Sequence, residues 1–366
     1  MVERVAIIGI GVIGGSIALA WKERLPALHV IGYDKPQILE DARQRGIIDH
    51  QASSLSDAVS HADVVFIAVP LDLTKHVMES IAPHLPLHTI VTDVGSVKQP
   101  VIENANRLLP ESTCFIGGHP MTGSELSGLE GADAFLFENS LYILCPEESV
   151  DPKQYSMVED LIEATGARVV SINAATHDKI VASVSHLPQL VATTLVNVAS
   201  DQHLSDALTL QLAAGGFRDM TRIASSSFDM WASVLEQNSS EVEIALTSMI
   251  DHLDFIRHQL AQQGGIQTLR PIFERASAVR EEIPRDFKGF LRPLCDVFVY
   301  AKDQPGVLAH ITGTLFSQDI SIKDIELLKI REGTGGAFRI SLEDEQSADA
   351  AVNALNSHGC RAHRIH

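Results

Sequence analysis

The chain has 366 residues, of which 45% are hydrophobic and 20% are charged, proportions typical of a packed globular protein with two or three domains. Its 28 basic and 47 acidic residues give a formal net charge of −19. A field of that sign repels phosphate backbones and anionic membrane surfaces, so we expect no nucleic-acid partner and no membrane partner.

The cysteines and histidines predict neither a metal site nor a redox motif. The four cysteines are scattered without a C-x-x-C pair, and none of the 16 histidines shows H-E-x-x-H spacing. We therefore expect reduced structural thiols in a cytoplasmic protein. No apolar stretch is long enough to span a bilayer, and the chain begins directly with a strand and a glycine loop, so no signal peptide is expected.

The first part of the chain alternates strand and helix patterns. Apolar runs rich in Val and Ile predict strands at RVAIIGI, HVIGYD, ADVVFIAVP, TIVTDVGS, CFIGGHP and LYILCP. Continuous apolar strands that alternate with helices favour a parallel sheet covered on both faces. The sequence thus predicts an α/β domain of the Rossmann type over residues 1–173.

Two further regions follow. Residues 174–290 carry apolar residues at helical spacing without a strand candidate, which predicts an all-α domain for substrate binding and dimerisation. The segment PRDFKGFLRP (284–293) is predicted to be a linker to the next region. Residues 294–366 show strand, helix, strand, strand, helix, strand order with a hairpin turn at REGTGG, and predict a ferredoxin-like α+β module.

A glycine-rich loop follows the first strand. Gly9, Gly11 and Gly14 form a G-x-G-x-x-G motif, with Val12 and Ile13 inside it, at the start of a helix. In this context the loop permits a tight turn, close approach of backbone N–H groups to a pyrophosphate, and packing of helix on strand. The motif predicts a dinucleotide site; a purely structural turn is the alternative.

Two later strand ends extend the predicted cofactor site. Asp34 ends the second strand, where a carboxylate accepts hydrogen bonds from the adenosine ribose and repels a 2′-phosphate, so NAD is favoured over NADP. A strand-end turn aspartate is the alternative. Val69 and Pro70 end a third strand and are expected to line the nicotinamide half, unless Pro70 only stops the strand.

Three polar clusters are expected where the chemistry takes place. They contain Ser96 in TDVGSVK, His119 in GGHPMTGSE and His186 in VSHLPQ. Oxidation of an alcohol needs a base for the hydroxyl proton, and histidine suits because its pKa lies near neutral pH. His119 is the first choice, with Ser96 to orient it or to bind the substrate oxygen. The alternative for both histidines is a structural role in the protein core without a part in catalysis.

A pair of arginines is the candidate anion site of this acidic chain. Arg218 and Arg222 are four residues apart in GGFRDMTRIA and share one face if the segment is helical. Two guanidinium groups on one face suit a compact dianion, because arginine binds carboxylates bidentately. A solvated basic face is the alternative.

At these motifs the chain resembles the bacterial prephenate dehydrogenase family fused to a C-terminal ACT domain, and the resemblance covers essentially the whole chain. It depends on DVGSVK, GGHPMTGSELSG, VSHLPQ, GGFRDMTRIASSSFDMW and DQPGVLAHIT, in that order. The resemblance implies NAD-dependent oxidative decarboxylation of prephenate to 4-hydroxyphenylpyruvate by a homodimer. The alternatives are an arogenate dehydrogenase and, in a different class, a non-catalytic sensor of NAD and an amino acid.

The resemblance also implies roles for individual residues. His119 would accept the ring-hydroxyl proton, and Ser96 would hydrogen-bond both His119 and that hydroxyl. Arg222 would hold the ring carboxylate. The remaining substrate-binding residues would be His186 and Arg218 on the pyruvyl side and Ser124 and Glu125 at the border of the pocket. Position 218 is often lysine in the family, so the charge is kept while the geometry differs.

The C-terminal module resembles the small-molecule sensors of the ACT type. Its turn before the helix matches their ligand-facing loop, and the predicted effector residues are Asp303, Pro305, Gly306, Val307 and Leu308. Backbone N–H groups that follow Gly306 suit a carboxylate. The resemblance implies feedback inhibition by tyrosine, with a merely structural dimerisation module as the alternative.

Overall fold

The computed structural model describes residues 2–123, 127–203, 208–282, 294–301, 304–331 and 335–364. The chain divides into two compact units, Met1–Phe273 and Glu274–His366. The predicted linker at 284–293 lies outside the described residues, as do residues 332–334 of the predicted hairpin turn. Three predicted site residues, Ser124, Glu125 and Asp303, also lie outside them.

The first unit is built on an eight-stranded sheet. Its strands are β1 (Arg4–Ile8), β2 (His29–Tyr33), β3 (His50–Gln51), β4 (Val64–Ile67), β5 (Ile90–Asp93), β6 (Cys114–Pro120), β7 (Leu141–Cys145) and β8 (Arg168–Ser171). They lie in the order β3-β2-β1-β4-β5-β6-β7-β8. In the register, Val5 of β1 lies between Val30 of β2 and Val64 of β4. The predicted Rossmann-type sheet is confirmed.

The expectation of an all-parallel sheet is wrong at its far end. The first six strands in the chain, β1 to β6, are parallel to one another. Strand β7 pairs antiparallel with β6, and β8 is parallel to β7. Parallel neighbours need a crossover, usually a helix. Between β6 and β7 the described chain contains only the 3₁₀ turn Leu129–Gly131. Strand β7 therefore starts at the edge of the sheet where β6 ends and runs back beside it.

Helices cover both faces of this sheet. They are α1 (Val12–Arg24), α2 (Pro36–Gln44), α3 (Leu55–Val59), α4 (Leu71–Ile81), α5 (Gln99–Leu108) and α6 (Pro152–Glu163). Successive β1 residues alternate between two core clusters, with Val5 and Ile7 in one and Ala6 and Ile8 in the other. Side chains of a strand point to opposite faces, so the uninterrupted apolar run reflects burial on both sides.

The predicted helical region is also confirmed. It contains α7 (Ala174–Val181), a π-helical turn (Ala182–His186), α8 (Leu187–His203), α9 (Gly215–Thr221), a 3₁₀ turn (Arg222–Ser225), α10 (Phe228–Gln237), α11 (Ser239–Leu260), a second 3₁₀ turn (Gly265–Leu269) and α12 (Arg270–Glu282). Up to Phe273 it belongs to the same compact unit as the sheet. One reason is that Trp231 and Val234 of α10 pack into the second core cluster.

The second unit has the predicted ferredoxin-like order. Its elements are β9 (Cys295–Ala301), α13 (Val307–Phe316), β10 (Asp324–Arg331), β11 (Gly335–Leu342), α14 (Glu345–Ser357) and β12 (Arg361–Arg364). The strands lie in the antiparallel order β10-β11-β9-β12. Val297 and Val299 pack with Ile311 of α13 and Leu355 of α14, so both helices cover one face of this sheet.

The four cysteines are free thiols. Burial raises the pKa of Cys114 to about 11 and that of Cys145 to about 12, so both stay protonated at neutral pH. Among the helices of the described residues, none has the length and apolarity needed to cross a bilayer.

Candidate active site

The glycine loop presents unpaired backbone donors at the carboxyl edge of the sheet. Gly11 is the N-cap of α1 and makes no side-chain cap, so the first N–H groups of the helix, at Val12, Ile13 and Gly14, have no capping side chain. A Cβ on Gly11 would meet nothing within 4 Å, whereas one on Gly14 would lie 2.1 Å from the carbonyl oxygen of Gly9. The loop therefore fits the pyrophosphate of a dinucleotide, with room above Gly11 and close packing at Gly14.

Asp34 lies beside this loop. The Ile10 N–H donates to Asp34 Oδ2 at 2.7 Å, and the Lys35 N–H donates to Oδ1 at 2.6 Å. The side chain stays partly exposed, and each carboxylate oxygen has a further lone pair for a ribose hydroxyl. Val69 and Pro70 follow β4 at the same edge, and Pro70 is the N-cap of α4.

His119 lies on β6 beyond the residues that pair with β5. Its ring is half-buried, and its Nδ1 lies 2.7 Å from Nε2 of His177. His177 is fully buried, and its Nδ1 lies 2.7 Å from Oδ1 of Asp178. The structure thus builds a chain of three side chains that starts at the predicted base and ends at a buried carboxylate.

Burial lowers the pKa of His119 well below its usual value, and His177, Lys98 and His186 lower it further. Both effects disfavour a positive charge on the ring. The imidazole is therefore neutral at neutral pH, as a proton acceptor must be.

A buried ion pair holds the strand residue that precedes His119. Lys98 and Asp93 are both fully buried, and Lys98 Nζ donates to Asp93 Oδ2 at 2.5 Å. Lys98 Nζ also donates to the Gly118 carbonyl at 2.7 Å, while the Gly118 N–H donates to Asp93 Oδ1 at 3.1 Å. The peptide groups on both sides of Gly118 are therefore fixed by one lysine–aspartate pair.

His186 ends the π-helical turn and is buried. Its Nδ1 lies 3.2 Å from the side-chain amide nitrogen of Asn238, and its ring meets Trp231 edge-on at 5.9 Å between centroids. Burial lowers its pKa to about 4, with Asp178 opposing and His177 adding to the shift. Single π turns are frequent at functional sites, and this one places His186 within electrostatic reach of His119.

The remaining predicted residues lie in less defined surroundings. Ser96 is half-buried in the loop after β5, and within the described part of the chain its hydroxyl forms no hydrogen bond. The structure pairs Nδ1 of His119 with His177, and the Ser96–His119 hydrogen bond stays a prediction. Arg218 lies in α9 and Arg222 begins the turn after it, so the segment is helical as predicted. Both arginines are exposed, and neither is the bonding partner of His119.

Four polar residues of this site were not predicted from the sequence. Lys98 belongs to the motif DVGSVK, and His177 and Asp178 are adjacent in THDK, but only the fold brings them to His119. Asn238 lies 60 residues beyond Asp178 and donates to its carbonyl oxygen at 2.9 Å. The adjacent pair His177–Asp178 in a short helix is a weak sequence signal, but it would have justified adding both residues to the predicted site.

Within the described ranges, no three His, Cys, Asp or Glu side chains are placed to hold a metal ion. The neutral imidazole of His119, at the same edge of the sheet as the glycine loop, supports proton transfer.

Comparison with known families matches three consecutive parts of the chain. Residues 17–171 match the nucleotide-binding domain of prephenate dehydrogenase, residues 173–274 match its dimerization domain, and residues 296–360 match the ACT domain. The first boundary falls close to the predicted one at residue 173.

Individual relatives agree with this assignment. Prephenate dehydrogenase of Bacillus subtilis is 36% identical over 359 residues, which cover 98% of this chain and 96% of the relative. The crystal structure of prephenate dehydrogenase from A. aeolicus in complex with hydroxyphenyl propionate and NAD+ is 28% identical, with a TM-score of 0.71 over 77% of this chain and 99% of that chain. Arogenate dehydrogenase of Synechocystis is 30% identical, with a TM-score of 0.67 over 76% of this chain and 99% of that chain.

Proposed function

Because the chain belongs to the prephenate dehydrogenase family, we propose that it oxidises and decarboxylates prephenate to 4-hydroxyphenylpyruvate with NAD, a step toward tyrosine. The observation that carries this proposal is the neutral His119. It lies at the same edge of the sheet as the glycine loop and forms a hydrogen bond through Nδ1 only, within the described part of the chain.

NAD accepts a hydride from the substrate ring when it is bound. The glycine loop and the N-terminus of α1 would hold its pyrophosphate, and Asp34 would accept hydrogen bonds from the ribose. A carboxylate at that position repels a 2′-phosphate, which supports NAD over NADP. The A. aeolicus relative, whose structure contains NAD+, is consistent with this choice.

The chain itself handles the proton and the anionic groups. Nε2 of His119 would accept the ring-hydroxyl proton, and Ser96 would hydrogen-bond that hydroxyl. Arg222 would hold the ring carboxylate, which leaves as carbon dioxide once aromatisation of the oxidised ring drives its loss. His186 and Arg218 would face the pyruvyl side, and Ser124 and Glu125 would border the pocket.

Arogenate is the second candidate substrate. It carries an amine where prephenate carries a keto group, so a cation at that end favours prephenate. Arg218 supports prephenate, while the similarity to arogenate dehydrogenase of Synechocystis keeps the alternative open to test. NADH formation measured with both substrates in parallel, each with NAD and NADP, decides between them. We expect the highest kcat/KM for prephenate with NAD.

A variant separates the proposed chemistry from a non-catalytic sensor. His119→Asn should bind NAD normally and lose roughly 10²- to 10⁴-fold in kcat, the contribution usual for a general base. His61→Asn, at an exposed position on the same unit, is the matched control and should keep wild-type kcat. Unimpaired turnover by His119→Asn would remove His119 from the mechanism.

We further propose that tyrosine inhibits the enzyme through the second unit. Gly306 has a φ of +87° and is the N-cap of the ten-residue helix α13, which has no side-chain cap; the Val307 N–H donates to the Gln304 carbonyl at 3.3 Å. A helix N-terminus suits an amino-acid carboxylate, and the proposal assigns Asp303, which lies outside the described residues, to the amine. Tyrosine added to the full chain should reduce turnover at saturating NAD. Unchanged rates over a broad range of tyrosine concentrations would contradict regulation.

A homodimer formed through the helical region completes the proposal. Exposed apolar side chains are frequent there, and they include Phe228 at 76%, Ile244 at 61% and Phe273 at 72% exposure. A second copy that covers them explains so much exposed apolar surface. Light scattering of the purified chain should give twice the mass of 39.7 kDa. We place the enzyme in the cytoplasm, where free thiols such as its four cysteines persist.

A further inference from the structure

We propose that His177 and Asp178 are positioning residues that keep the proton of neutral His119 on Nδ1 and so leave Nε2 as its basic atom. The proposal rests on the function proposed above, in which His119 is the base. It adds two residues to which the sequence motifs assigned no role, and it specifies which nitrogen accepts the substrate proton.

The Asp178 carboxylate fixes the direction of the hydrogen bond from His177. An ionised carboxylate offers only acceptor atoms, so the ring nitrogen of His177 that lies 2.7 Å from Asp178 Oδ1 must be the donor. The proposal gives His177 one ring proton, on Nδ1, so that its Nε2 presents a lone pair. That atom lies 2.7 Å from Nδ1 of His119, which must then donate. One proton on Nδ1 of His119 leaves Nε2 unprotonated and able to accept.

Asp178 is held from three directions. The backbone N–H groups of Lys98 and Gln99, at the start of α5, each donate to one of its carboxylate oxygens at 2.8 Å. Its own carbonyl oxygen accepts from Asn238 at 2.9 Å. Because both oxygens already have donors, rotation of the carboxylate away from His177 would break two bonds. The Asp178 carboxylate, which in this proposal fixes the proton positions on His177 and His119, is therefore held rigidly.

The groups around His119 favour the neutral ring that the proposal requires. His177 faces it from α7, Lys98 from the loop before α5 and His186 from the π-helical turn, and each opposes a positive charge on the ring. His177 links His119 to the Asp178 carboxylate through two contacts of 2.7 Å. When His119 takes up the substrate proton, this path is the one that stabilises the resulting imidazolium.

A purely structural role for Asp178 is the competing explanation, since its carboxylate also caps α5. Two substitutions at His177 separate the explanations, because neither touches that cap. His177→Gln keeps an acceptor oxygen close to the former Nε2, whereas His177→Leu fills similar space without an acceptor. The same full-length chain is labelled with nitrogen-15 histidine, and His119→Asn identifies the His119 signals.

In the wild-type protein we expect the nitrogen chemical shifts of His119 to show a protonated Nδ1 and an unprotonated Nε2. His177→Gln should retain that pattern and most of kcat. His177→Leu should shift the proton toward Nε2 and lower kcat by roughly ten- to a hundredfold, part of what general base catalysis contributes, with KM for NAD unchanged. Thermal unfolding of both variants checks that they fold.

A protonated Nε2 in wild-type His119 would overturn the proposal without any variant. Wild-type kcat in folded His177→Leu would overturn it as well. The proposed function fails separately, if the wild-type chain forms no NADH from prephenate or arogenate. The chemical shifts need no substrate, so they test the proton position in either case.

Discussion

Removal of the Lys98 charge tests the buried ion pair behind the catalytic strand. Lys98→Met keeps most of the side-chain volume but leaves the Asp93 carboxylate fully buried with only the N–H groups of Gly95 and Gly118 as donors. Breaking a buried pair in this way costs about 3–5 kcal/mol. At roughly 2–4 °C per kcal/mol for a unit of this size, the melting temperature should fall by about 6–20 °C.

Denaturant and thermal unfolding measure this loss. Lys75→Met is the matched control, because Lys75 and Glu79 form an exposed pair at 3.9 Å that should change stability by about 0.5 kcal/mol or less. Adding Asp93→Asn to Lys98→Met should cost less than the sum of the two single changes, since no unpaired charge remains. A loss below about 1 kcal/mol in Lys98→Met would refute the reasoning.

The same variant, two glycines and a buried histidine give further predictions. Lys98→Met should raise the pKa of His119, because one of the cations that lower it is gone, so the acid limb of the pH–rate profile should move to higher pH. Gly14→Ala should destabilise the fold by about 1–3 kcal/mol or more, because its Cβ would lie 2.1 Å from the Gly9 carbonyl oxygen. Gly11→Ala should keep the wild-type melting temperature and lose NAD affinity in a titration, since its methyl group meets only the space needed for the pyrophosphate. The pKa of His186 is lowered to about 4 in the fold, so the unfolded chain binds this proton first as pH falls below about 6.5. Stability should therefore be complete above that pH and fall by up to about 3 kcal/mol toward pH 4, and His186→Gln should lessen the fall seen in unfolding curves. If the free energy of unfolding falls equally with pH in His186→Gln and in the wild type, the acid sensitivity belongs to other groups.

Much of the fold was predictable because its signals are local. The uninterrupted apolar strands, the glycine motif at the start of α1 and the change to helical spacing after residue 173 each arise from neighbours in the chain. His119 was predictable for the same reason, since its motif follows an apolar strand. The antiparallel direction of β7 was not predicted, because strand direction depends on the connection between β6 and β7 and not on the residues of the strand.

The sequence by itself determined the three-part architecture and the dinucleotide loop and predicted His119 as the base, because residue type and local periodicity carry that information. Only the tertiary structure decided what surrounds the base. Lys98, His177 and Asn238 come from segments up to about 140 residues apart and meet through packing of α5, α7 and α11, which no local pattern records. The proton position that we propose for His119 therefore depends on the assembled fold, because the contacts with His177 and Asp178 form only when those helices are packed.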